Sequence, residues 1–332
     1  MTSLRRLAYA ALVLAYLQIV FGAVVRITGS GMGCGDHWPR CMGQWMPPLD
    51  RPDLIIEITH RYIAAALSAA VVALAGLAIA RRRAPSVAGS GVVPAAGLAA
   101  ALVLTAAVLG AITVKVGLHP LVIVAHLAVA MSLLATLVTV VLRSGGLGAS
   151  SVTAGSGTAK SYRGALAAGG LAFAVLILGA LTANLPGAAT SCLGFPHCRL
   201  GSAAGGGLHV QLGHRVLAVL LALHVTALAV AIGKRSEPVA VRRASRLALA
   251  AIVLQIVIAA VLVESGLPPV LQSLHQGAGT LVWLAIVALA TLAGRARPLT
   301  ATAGSAAREA SRRVEPAAAA RAGVTSPRGA AS

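Results

Sequence analysis

The sequence predicts an all-α integral membrane protein: eight transmembrane helices, built as two pseudo-symmetric four-helix bundles in a parallel repeat. Three observations carry that expectation. The 332 residues are 58% hydrophobic and only 11% charged, more apolar surface than a soluble domain of this length buries. Eight apolar stretches are long enough to cross a ~30 Å hydrocarbon core at about 1.5 Å per residue. The second half of the chain also repeats the first in its loops, glycines and histidines.

In chain order the stretches are roughly 7–27, 58–80, 94–115, 121–142, 164–184, 209–233, 247–263 and 271–293. The first runs straight into Arg26 and a Gly-rich loop without a small-residue cleavage site, so it reads as a span and not as a removable signal peptide. The net charge of +19 comes with only 3% aromatic residues, and the charges lie between apolar spans. That pattern excludes a nucleic-acid reader, which needs an accessible basic face with stacking aromatics. It is a topology signal instead. With the N-terminus in the cytoplasm, only seven of the 27 Lys and Arg fall outside, namely Arg26, Arg40, Arg51, Arg61, Lys115, Arg199 and Arg215. Both termini are therefore expected in the cytoplasm and the cysteine loops on the outer face of the cell membrane, with lipid as the surrounding partner. The expected organisation is a first bundle over 1–143, a Gly/Ser-rich cytoplasmic linker over 144–163, a second bundle over 164–295 and a disordered basic tail over 296–332.

The repeat is internal to the sequence. The first span ends Phe21-Gly22-Ala23 and the fifth Leu178-Gly179-Ala180. Each then enters a loop with two cysteines, and each next span opens on a His-Arg pair, His60-Arg61 against His214-Arg215. The third spans end near Gly117-Leu118-His119-Pro120 and Gly266-Leu267-Pro268-Pro269, and the fourth carry His126 and His275. An even number of spans per repeat makes the halves parallel, related by an axis along the membrane normal.

His60, His126, His214 and His275 thus lie at one depth, two per bundle. Two imidazoles facing each other from two helices suit a planar metal macrocycle held edge-on, one ligand on each axial face. Neutral imidazole ligates iron without placing a charge in lipid. Arg61 and Arg215, at the membrane edge, are placed to pair with propionates. No carboxylate cluster accompanies the histidines, which argues against a non-haem metal centre. His37, His119, His197, His209 and His224 do not share the pattern and are expected to be structural or local. Glu57 precedes His60 by three residues, whereas the matching position before His214 is Gln211. A carboxylate beside one site only suits proton handling; the plainer alternative is a helix-start acid favoured by the dipole.

Cys34 and Cys41 lie in one outer loop, Cys192 and Cys198 in the other. On an oxidising side, one disulfide within each loop is the expected reading. A redox-active pair, or a copper site helped by Met32, His37, Met42 and Met46, competes with it. The first loop, with Trp38, Trp45 and Pro47-Pro48, is expected to pack as a lid.

Taken together, Glu57-x-x-His60-Arg61, His126, Gly213-His214-Arg215, His275-Gln276-Gly277, the two cysteine pairs and the segments FGAVVRITGSGMGC and LTANLPGAATSC resemble the haem A synthase family over about residues 7–295. Cysteine pairs in both loops resemble its bacterial type. The resemblance implies oxidation of one methyl group of haem O to a formyl by successive hydroxylations, for assembly of haem-copper terminal oxidases. It implies a permanent haem b on His214 and His275, and haem O as substrate on His60 and His126 with Glu57 beside them. A haem O synthase (protohaem farnesyltransferase) would supply the substrate, and an electron donor, with quinol as a candidate, would feed the site. A homo-oligomer is left open. The rival readings are a di-haem, quinol-linked cytochrome b without oxygenase chemistry, and a haem transporter or chaperone.

Overall fold

The computed structural model describes residues 1–35, 37, 39–200 and 207–297. The expected tail lies outside these residues apart from Ala296 and Arg297, as does Trp38. Among the described residues the chain forms eight long helices: α1 (Thr2–Ile27), α2 (Pro52–Ala80), α3 (Val92–Lys115), α4 (Pro120–Arg143), α5 (Ala159–Asn184), α6 (Gly207–Gly233), α7 (Val239–Glu264) and α8 (Pro269–Ala296). All eight are long and apolar enough to span a membrane. The chain is an all-α, multi-pass membrane protein.

The helices outrun the apolar stretches where polar residues start them. α2 begins six residues before the expected 58 because Pro52 sits in its first turn, where a missing N–H costs nothing, followed by Asp53 against the dipole. α5 starts at Ala159, inside the stretch expected as linker, because the Thr158 hydroxyl accepts from Ser161 N–H at 3.2 Å and caps it. Between α3 and α4, and again between α7 and α8, the same reversal is built twice. Gly117 and Leu118 take φ of 64° and 59°, Gly266 and Leu267 take 74° and 62°. Leu118 N–H donates to Thr113 O and Leu267 N–H to Leu262 O, each at 2.9 Å, the six-to-one bond of a left-handed helix end.

Each half closes on itself. α1 packs on α2 and α4, and α3 on α2 and α4; α5 packs on α6 and α8, and α7 on α6 and α8. The halves meet through α1·α8, α4·α5 and α4·α8, so exchanging α1–α4 with α5–α8 leaves the main helix contacts unchanged. Small residues on the inner faces permit this approach: α1 buries Ala8, Ala11, Ala15 and Ala23, and α5 buries Ala165, Ala168, Ala172 and Ala180. Outward faces stay apolar, as lipid requires, with Val13, Leu17, Leu104, Val108, Leu223 and Leu247 about half exposed or more. Polar bonds stitch the halves: Trp283 Nε1–H of α8 donates to Met131 O of α4 at 2.9 Å, and the Tyr16 hydroxyl of α1 to Gly277 O of α8 at 3.3 Å.

The linker is folded down, not slack. Leu147 N–H donates to the Tyr9 hydroxyl at 3.0 Å, and Gly157 N–H to Ala296 O at 2.8 Å. Glu237, 3% exposed, accepts from Thr158 N–H and Oγ1–H at 3.1 and 2.7 Å, which holds the start of α5 to the start of α7.

Candidate functional site

The four histidines sit on the even-numbered helices, in pairs. His60 lies within electrostatic reach of His126, and His275 of His214. Glycines let the neighbouring helix press against three of the rings. A Cβ at Gly22 of α1 would stand 3.1 Å from His60 Cε1, one at Gly179 of α5 2.9 Å from His214 Cε1, and one at Gly110 of α3 3.4 Å from His126 Cε1. The matched glycines of the repeat therefore have a shared physical cause: any larger residue would push the imidazole aside.

What fixes each ring differs between the halves. His214 Nδ1 lies 3.0 Å from Val175 O. A carbonyl only accepts, so Nδ1 carries the proton and Nε2 keeps the lone pair a metal needs. His275 is met by the Gln255 amide of α7, whose Nε2 is 3.1 and 3.2 Å from the two ring nitrogens. His60 is met by Gln18 of α1, whose Nε2 donates to His60 O at 3.1 Å and lies 3.1 Å from the ring Nε2, while Phe21 stacks on the ring at 6.4 Å. Counted along the repeat, Gln18 corresponds to Val175 and Gln255 to Ala106. Each half thus has one glutamine-held histidine, but on opposite members of the pair.

Haem fits this donor set by the polar atoms the protein leaves over. Nδ1 of His60 is buried with no protein partner among the described residues, and so are the amide oxygens of Gln18 and Gln255. Each such atom costs about 1–3 kcal/mol. A buried site keeps such groups where a bound ligand reorients them, and imidazole pairs are the axial ligands a macrocycle takes. Among the described residues no three His, Cys, Asp or Glu converge as a ligand set. A metal held here would need its remaining bonds from elsewhere, as a macrocycle supplies. Two surface cavities, about 580 and 320 Å³, lie at the linker end instead, lined by Glu237 and Arg242 and by Thr139 and Arg143. Neither includes a histidine of the four.

Above the rings, each cysteine loop is closed by its own disulfide, Cys34–Cys41 and Cys192–Cys198, with Cα separations of 4.6 and 5.1 Å. The residues beside the histidines hold these loops down. Glu57, 4% exposed, accepts Cys34 N–H at 2.8 Å on Oε2 and pairs with Arg61 through Oε1. Arg61 also donates to His37 O at 2.7 Å and Arg40 O at 3.0 Å. In the second half, Gln211 accepts from Ser191 Oγ–H at 2.9 Å and donates to Cys192 O at 3.0 Å, while Arg215 donates to Gly194 O and Cys192 O at 2.9 and 2.8 Å. Glu57 and Gln211 do one mechanical job with different chemistry, and both arginines place guanidinium N–H groups on loop carbonyls. Of the other histidines, His224 Nε2 bonds Gly164 O at 2.9 Å and His119 precedes α4 as its cap residue.

Sequence reasoning passed over Gln18 and Gln255. The signal was there: each is a lone amide inside an apolar span, a costly residue to keep in lipid. The clamp of Cys34 on Glu57 had no such signal, because its partner is a backbone N–H 23 residues away.

The family model described as cytochrome oxidase assembly protein, COX15-CtaA, matches residues 5–287 of the chain. The chain is similar to a heme A synthase of Geobacillus kaustophilus, 48% identical over 61 residues, 18% of this chain and 19% of the relative. It is also similar to a heme A synthase of Geobacillus thermodenitrificans, 44% identical over 61 residues with the same shares. A protoheme IX farnesyltransferase of Thermus thermophilus is 48% identical over 54 residues, 16% of this chain and 9% of that protein. The chain matches less than a fifth of the length of each of these curated relatives.

Proposed function

The chain belongs to the COX15-CtaA family of cytochrome oxidase assembly proteins, and on that premise we propose that it is a haem A synthase. It oxidises one methyl group of membrane-borne haem O to a formyl group, the two successive hydroxylations giving a gem-diol that loses water. The observation that carries this reading is the paired, half-buried histidines with a buried carboxylate beside one pair only: Glu57 next to His60, Gln211 next to His214.

The halves divide the labour. His214 and His275 hold haem b, which when bound supplies reversible one-electron transfer. Val175 O fixes the His214 tautomer and Gln255 orients His275. His60 and His126 hold the substrate, with Gln18 and Phe21 setting the His60 ring. The disulfide loop over them, clamped by Glu57 and Arg61, keeps water from the pocket. Glu57 takes up or releases a proton at the oxygen paired with Arg61, one helical turn from the ring. Haem O reaches the site from a protohaem farnesyltransferase, and electrons come from a donor of the quinol class. The loops face the outside and both termini the cytoplasm, following the positive charge.

One observation favours the rival, a di-haem carrier that leaves the porphyrin alone: Gln211 clamps its loop as Glu57 does, so Glu57 has a structural use without chemistry. Pigment extraction separates the two. Membranes from cells that make haem O should contain haem A only when this chain is co-expressed; haem O accumulating unchanged beside haem b would favour the carrier.

Gln255 offers a finer test. Turned over, the Gln255 amide brings its otherwise unpartnered oxygen to the His275 ring N–H, and a ring partner that accepts more strongly makes imidazole a stronger donor and stabilises ferric iron. Gln255→Glu should therefore lower the midpoint potential of haem b, and Gln255→Leu raise it while weakening haem retention roughly 10- to 100-fold. A glutamine that merely fills space would shift both variants the same way.

A further inference from the structure

The loop between α1 and α2 carries apolar surface that its own fold leaves uncovered. Beneath it, Cys34, Cys41, Leu54 and Ile58 form a small buried cluster. At its tip, Met42, Trp45, Met46 and Leu49 are 59, 56, 69 and 81% exposed. Four large apolar side chains facing water on a loop this short would be costly, so what covers them has to be found.

The length of α2 locates the tip. Its 29 residues span about 43 Å, some 13 Å more than a ~30 Å hydrocarbon core. Its far end meets Arg81, Arg82 and Arg83, which stay at the headgroups. Counting back from Arg81 by about 20 residues, the depth of the core, reaches Arg61 and Tyr62. Tyr62 is therefore at the hydrocarbon boundary, and its hydroxyl donates to Trp45 O. Tyr62 also heads the exposed stripe of α2 that continues through Ala66, Ala69, Val72 and Ile79. The loop tip is bonded to the top of a lipid-facing stripe. Arg40 stands over the Trp45 ring at 5.4 Å, a cation at phosphate level, while Arg51 beyond Leu49 is paired with Asp53 at 2.8 Å. Trp and Tyr with flanking Arg are the residues that settle at a membrane interface. The second cysteine loop has neither Trp nor Tyr.

We propose that the segment Trp45–Leu49 is an interfacial anchor: it lies in the phospholipid monolayer at the loop end of the bundle, with the indole among the headgroups and Met46 and Leu49 in the upper acyl chains. The partner is the lipid surface itself. The anchor ties the loop clamped by Glu57 and Arg61 to the membrane plane, so the cover over His60 is fixed to the lipid as well as to the protein. The inference does not depend on the chemistry assigned to the histidines.

The test uses the full chain in phosphatidylcholine–phosphatidylglycerol vesicles whose acyl chains carry bromine either near the headgroup or near the chain end. Subtracting the emission of Trp45→Phe, which keeps the backbone carbonyl that Tyr62 binds, isolates the emission of Trp45. That component should be blue-shifted, lost with shallow bromine, retained with deep bromine and untouched by aqueous iodide. Met46→Asp with Leu49→Asp should convert it to iodide-sensitive emission. Quenching by iodide and by neither lipid would place the tip in water and overturn the proposal. Resistance to all three quenchers would overturn it too, placing a protein surface or a second copy of the chain over the tip.

Discussion

Alanine at His275 should leave the purified protein with little low-spin haem b, while alanine at His60 or His126 should leave that signal intact. The asymmetry follows from the placement of the rings. A low-spin b-type centre needs two strong axial donors, and His214 finds its facing imidazole on α8, not in the other bundle. Truncating His275 removes one axial bond and leaves the Gln255 amide, already short of one partner, with none on that side. The helix itself tolerates the change, since alanine is the best helix former, and the main packing of α8 lies further along at Ile286, Leu289 and Leu292. The optical spectrum of detergent-purified variants, with total haem by pyridine haemochrome, gives the answer. A full low-spin spectrum in His275→Ala would remove this residue from the cofactor site.

Glutamine at Glu57 should keep haem b and the fold yet nearly abolish haem A formation. The second half supplies the control for this substitution. There, an amide at the equivalent place accepts from Ser191 and donates to Cys192 O, and its loop stays closed. An amide at 57 can likewise still accept the Cys34 N–H through its oxygen. It cannot carry a proton. If activity falls while the loop and haem b persist, the carboxylate is chemical; if conversion is unchanged, Glu57 is a clamp and nothing more. Arg61→Ala is the harsher variant. It strands a buried carboxylate, a change that costs about 3–5 kcal/mol, and should lower thermal stability as well as activity.

The spans were legible because apolar length survives without any tertiary information. The ends were not: α2 and α7 extend to Pro52 and Val239, past the apolar stretches, because a helix ends where its caps are and not where lipid ends. The histidines were readable as two pairs from duplicated position alone. Why Gly22 and Gly179 precede the loops was not, since the reason is an imidazole on the next helix. Arg61 and Arg215 show the same limit from the other side. Sequence placed them at the membrane edge with propionates as natural partners, but the carbonyls of two folded loops now take their N–H groups. Such contacts exist only once the loop has closed.

The proposed conversion of haem O to haem A can be followed in the purified protein. Its most direct test is to load the purified protein with haem O, supply a reductant and air, and follow the extracted porphyrin by mass spectrometry. The expected product has gained one oxygen and lost two hydrogens at a single methyl, with the farnesyl chain intact, through a species that has gained one oxygen only. Recovery of unchanged haem O, from protein that still carries reducible haem b, would contradict the proposed conversion.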